Sequence, residues 1–223
     1  MSFNVHYQLY HYNKRHQLKH KSEMIQSKSF VKAFLQMFFV ITSNVSQNII
    51  DITNTSRTIP NATAAQLYCL HSGLASGDAS WSQRSSYGTT YPPVAHIFAD
   101  ELGIQVGTSA TAVAVADDNL VAPIANGTSA GQFVYYGTWS LNYTTGASTS
   151  SFDVESIYRN SSGGTIVVAE IGMYCRATTA TTWYQSSDSQ RFSFCILRDV
   201  LGATKTVLDG EYLKVKYTIS VSV

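Results

Sequence analysis

At 223 residues the chain is long enough for one large β domain or a domain with an appendage, and its 44% hydrophobic residues can supply a core. Only 13% of its residues are charged, and Ser and Thr carry much of the polar surface. This excludes a disordered tail and a highly charged cytosolic enzyme, and suits an all-β protein that meets other protein surfaces. The net charge of +1 hides an asymmetry: residues 1–60 hold seven Lys/Arg against two Asp/Glu, and residues 61–223 hold eight against twelve.

Residues 1–28 are polar and basic, with Tyr and His interleaved, and read as an extended arm with a short strand near Val5–Tyr12. Ser29–Phe39 is the one good helix candidate, since Phe30, Phe34 and Phe38 fall at i, i+4 and i+8 with Val31 and Leu35 beside them. Ser27 or Ser29 can cap it. A helix this short must bury that face on its own sandwich or on a neighbour, and Phe30, Phe34, Leu35 and Phe38 are the expected subunit contacts. Val45–Ile59 reads as a connecting strand ending at Pro60, and Gly73–Pro93 as a loop.

From Gly103 onward short strand patterns recur. Gly103–Thr108 is a strand and turn, and Thr111–Ala116 is a strand ended by the turn signal Asp117-Asp118-Asn119. Gln132–Tyr143 alternates, with Phe133, Tyr135, Trp139, Leu141 and Tyr143 on one side, and Phe152, Val154 and Tyr158 share a face in the next run. Asn160-Ser-Ser-Gly-Gly164 is a tight turn into three closing strands within 165–174, 191–200 and 210–223. In the last, Leu213, Val215, Tyr217, Ile219, Val221 and Val223 alternate with Lys214, Lys216, Thr218, Ser220 and Ser222, the period of a half-buried strand. The expected fold is an all-β sandwich or jelly roll over 61–223, preceded by an arm-and-helix assembly segment over 1–60.

Three cysteines (Cys69, Cys175, Cys195) with no CxxC make no disulfide framework, and the last two read as small buried hydrophobes. The apolar stretch Phe30–Ile41 is interrupted by Lys32 and Gln36 and falls short of the roughly 20 residues of a membrane span. Gly127-Thr-Ser-Ala-Gly131 matches the nucleophile elbow of serine hydrolases, but a strand pattern follows Ser129 where that motif needs a helix, and no histidine lies beyond His96. A turn between strands is the better reading.

His6, His11, His16 and His20 lack neighbouring Cys or carboxylate ligands and read as an arm, not a metal site. Lys14–Lys21 reads as solvated or packed on an acidic neighbour, in preference to a nucleic-acid contact. The carboxylate pairs Asp117/Asp118 and Asp153/Glu155 read as turn and strand-surface residues, and six N-x-S/T sequons carry little weight in a chain so rich in Ser and Thr. No cofactor or catalytic constellation emerges. Trp81 and Tyr91, with Trp183 and Tyr184, lie in Gly/Ser-rich or inter-strand loops of the kind used for sugar or protein contacts.

Several segments, in order, resemble virion structural proteins of tailed bacteriophages: Gly103–Thr108 with Thr111–Ile124, Arg159–Tyr174, Cys195–Val200 and Leu213–Ile219. The resemblance spans roughly residues 100–223. It implies a β-rich, non-enzymatic tail- or head-associated component, present in many copies and assembled in the bacterial host with itself and other virion proteins. It transfers no catalytic residue. The competing expectation is a virion-borne module that binds host-surface glycans through Trp81, Tyr91, Trp183 or Tyr184.

Overall fold

A computed structural model describes residues 2–27, 29–43, 45–60, 67–68, 101–178 and 191–223. In chain order the elements are β1 (Ser2–Tyr12), β2 (Leu18–Lys21), β3 (Ile25–Ser27), α1 (Lys32–Ser43), β4 (Gln47–Ile50), β5 (Ser56–Ile59) and β6 (Leu67–Tyr68). They continue with β7 (Gly103–Gly107), β8 (Phe133–Thr145), β9 (Thr149–Asn160), β10 (Ile166–Thr178), β11 (Arg191–Val207) and β12 (Tyr212–Ser222). The larger sheet runs β2-β1-β12-β9-β8, with β3 also on β1; the smaller runs β11-β10-β6, with β7 also on β10. The architecture is the expected all-β sandwich with one short helix.

Inward residues of the larger sheet come from alternate positions: Val5, Tyr7 and Leu9, then Leu213, Val215 and Tyr217, then Val154 and Tyr158, then Phe133 and Tyr135, all buried. They form one core with Ile104, Val106, Ile171 and Met173 of the smaller sheet. Buried tyrosine hydroxyls reach across: Tyr158 donates to Ile104 O at 2.8 Å and Tyr217 to Asp199 Oδ2 at 3.0 Å. β10 is buried on both faces from Val168 to Cys175, so apart from Glu170 its sequence there carries no charge and does not alternate.

The basic arm is a strand of the sheet. β1 pairs with β12 over its whole length, from Ser2↔Ser222 to Tyr12↔Tyr212. Segments on either side of residue 60 therefore share one ladder. Two of the crossovers between the sheets, β9 to β10 and β11 to β12, meet at Asn160. Its Nδ2 donates to Gly164 O and Val207 O, and its Oδ1 accepts from Ser162.

Four local expectations change. The helix starts at Lys32, not Ser29, because the backbone of residues 29–31 is committed to the edge of β11: Arg198 N donates to Ser29 O and Val31 N to Ile196 O. The stretch Val45–Ile59 is a hairpin, not one strand, because Asp51 folds it back by accepting the amides of Thr53 and Thr55. Thr111–Ala116 is not a strand, since Arg198 takes the Thr111 and Ala112 carbonyls. In β8, bulges between Tyr135 and Thr138 and between Leu141 and Thr144 reset the pairing, so one face does not run unbroken from Phe133 to Tyr143.

Candidate functional site

The inward line of α1 is Ala33, Met37 and Val40, with Val31 just before it, and Cys175 Sγ lies 3.3 Å from Met37 Sδ. The four residues expected as subunit contacts divide into two pairs. Phe30 and Phe34 pack on the chain's own core and stack on each other at 4.3 Å, with Phe3 of β1 at 5.6 and 6.5 Å from them. Leu35 and Phe38 face outward, 64% and 58% exposed. The sequence reading placed Phe38 on the same face as Phe30. Because the helix begins three residues later, the line spaced 33, 37, 40 turns inward instead, which leaves Phe38 and Phe39 outside.

Helix geometry makes Phe34, Leu35, Phe38 and Phe39 neighbours, and Phe3 extends that surface onto β1. Exposed single apolar side chains are ordinary, but here several stand side by side. Trp81, Tyr91, Trp183 and Tyr184 lie outside the described residues.

Behind the smaller sheet lies a buried ion network that the sequence reading missed. Arg198 Nε donates to Glu170 Oε2 at 2.8 Å and Nη1 to Asp117 Oδ2 at 2.7 Å, and both Arg198 and Glu170 are fully buried. Glu170 also accepts the amides of Val121 and Ala122, so it holds the segment 108–124 from beneath. Arg198 pairs with Gly172 and Glu170 with Val200, so the two are diagonal neighbours on one face. The glycines make room. A Cβ on Gly107 would lie 2.5 Å from Glu170 Oε1, and one on Gly172 would lie 2.8 Å from Leu197 O. Tyr174 completes the layer, donating to Asn119 Oδ1 and accepting Leu120 N. Burial pushes the Tyr174 phenol and the Cys195 thiol far above their ordinary range, so neither is a reactive group at neutral pH. The legible signal was Glu170 and the Arg198-Asp199 pair inside two otherwise apolar strand runs.

The basic hairpin β1–β2 is packed on an acidic neighbour. Glu211 accepts from Lys19 at 2.7 Å and bonds His11 Nε2 at 2.8 Å. Burial works against the Glu211 charge, but the Lys19 and His11 contacts and the Leu208 amide overcome it and hold its pKa below the ordinary value. His16 stacks on Tyr212 at 4.3 Å. Among the described residues no group of three or more His, Cys, Asp or Glu is placed to hold a metal. Asp153 and Glu155 face Lys216 and Lys214 across the sheet surface. Ser129 sits in an exposed turn, its amide bonded to Gln132 Oε1, and β8 follows it. No helix among the described residues is long and apolar enough to cross a membrane. Comparison of the chain with protein-family models, curated proteins and solved structures finds no match.

Proposed function

We propose that this chain is a non-enzymatic structural subunit of a bacteriophage particle, assembling with copies of itself in the tail or head. The observation that carries self-assembly is the outward row Leu35, Phe38 and Phe39 of α1, continuous with half-exposed Phe3. The phage assignment rests on the sequence resemblance over residues 100–223. Burying that row on a neighbour removes apolar area worth about 1.5–3 kcal/mol for each large side chain. The buried polar groups support the same reading: they join segments of the scaffold to one another.

Mass photometry of the purified chain tests the proposal. The wild type is expected as a defined oligomer, and Leu35→Glu/Phe38→Glu as a smaller species with unchanged far-UV circular dichroism. A wild type that stays monomeric throughout the micromolar range would falsify self-assembly.

A further inference from the structure

The edges of the two sheets are finished unequally. On the larger sheet the β1 side is closed by β2 and β3, which are four and three residues long and surround Lys19, His20, Lys21 and Glu23. Short, charged edge strands of this kind resist pairing with other chains. On the smaller sheet the free edge of β11 is occupied by its own chain: Phe30 bridges Leu197, Val31 N donates to Ile196 O, and Ile52 N donates to Ser193 O.

β8, at the opposite edge of the larger sheet, has neither protection along most of its length among the described residues. Its first residues are covered, because Phe133 N donates to Ala125 O, Gly127 N donates to Phe133 O, and Asn126 Oδ1 accepts Tyr135 N. From Tyr136 to Thr145, no described residue lies in a ladder on the side away from β9. The strand contains no Lys, Arg, Asp, Glu or Pro, and no charged residue occurs anywhere in 119–152. Its far end and the turn after it, residues 142–149, are exposed throughout, with Tyr143 at 74%. The two bulges, at Gly137 (φ 93°) and Asn142 (φ 55°), leave a regular stretch at Thr138–Leu141.

We propose that the outer edge of β8, from Tyr136 to Thr145, pairs antiparallel with the same edge of a second copy and joins two larger sheets across a twofold axis. The occupant follows from the unequal edges. An antiparallel edge is its own complement under a twofold rotation, because each strand offers the other the same alternation of N–H and C=O groups. The β2/β3 edge of a second copy is a poorer match, being interrupted and charged. The site is also continuous with the proposed assembly surface: Phe3, Val221, Ser150 and Thr145 occupy one cross-strand row, so β8 reaches the same end of the sheet as the Phe3–Phe34 stack. This inference rests on the self-assembly reading, but it names a second contact independent of α1.

A cysteine scan tests it. Single Cys substitutions are placed in turn at 138–145 in full-length protein carrying Cys69→Ser, with the buried Cys175 and Cys195 left in place. In a symmetric antiparallel pair, the residue nearest the axis faces itself within disulfide range, and residues further along separate progressively. Oxidised dimer on non-reducing gels is expected to peak at one or two adjacent positions within 138–141 and fall several-fold on either side. Tyr143→Lys/Thr145→Lys, added to the peak variant, is expected to abolish the crosslink, while Leu35→Glu/Phe38→Glu leaves it at full yield. A flat scan from a wild type that still forms oligomers would overturn the β8 contact alone. A monomeric wild type would overturn this contact together with self-assembly. Crosslinking of β8 cysteines to a cysteine placed at His20, and not to themselves, would replace the twofold by a head-to-tail contact and also overturn the proposal.

Discussion

The layer behind β10 closes on itself, whereas the end of the larger sheet around Phe3, α1 and the β8 hairpin does not. Behind β10, a fully buried Arg198 meets Glu170 and Asp117, and two glycines supply the room. At the other end, Phe3, Leu35, Phe38 and Tyr143 stand in solvent. The first region is ionic and satisfied within the chain, whereas the second is largely apolar and faces solvent. The contrast separates what holds the chain together from what it leaves exposed.

The comparison breaks most sharply at Arg198. Arg198→Met leaves Glu170 buried and uncompensated and is expected to lower stability by about 3–5 kcal/mol, read from urea denaturation. The double variant Glu170→Gln/Arg198→Met is expected to recover part of that loss, because no lone charge then stays buried. If the single variant were as stable as the wild type, the network would not be what closes this layer. Gly107→Ala forces a methyl against Glu170 and the Ala122 carbonyl, and is expected to cost about 1–3 kcal/mol in the same assay.

Glu211→Gln weakens the tie between the β1–β2 hairpin and the β11–β12 turn by about 1 kcal/mol at neutral pH. Because the folded-state pKa of Glu211 is lowered, its contribution is fully present above the ordinary carboxylate range and is lost as pH falls through the folded value. The stability gap between wild type and variant should therefore close on acidification below about pH 4, and a gap that widened there would contradict the assignment. Leu35→Glu/Phe38→Glu should change monomer stability least, by roughly 0.5 kcal/mol or less, while removing the association made through α1. Loss of fold along with loss of association would move this face from the open region to the closed one.

How much could be read from the sequence depended on how local the determining contact was. The alternation from Leu213 to Tyr217 is a property of one strand and gave β12 directly. The Asn160 turn was equally local. The start of α1 was misplaced because the residues that withhold 29–31 from the helix sit on β11, nearly 170 residues away. Asp117 looked like an ordinary turn residue because its partner, Arg198, lies 81 residues further on. The arm was read correctly as extended, but nothing within it identifies β12 as its partner. For α1, the apolar character was legible and the rotation was not.

The pairing of β1 with β12 has a consequence in time. Ser2–Tyr12 leaves the ribosome some two hundred residues before its ladder partner, Tyr212–Ser222. The larger sheet therefore cannot close until some two hundred further residues have been made, which is a topology of high contact order and slow closure. Phe3 is carried on that strand, so the aromatic surface it shares with Phe30 and Phe34 is complete only after β12 has docked.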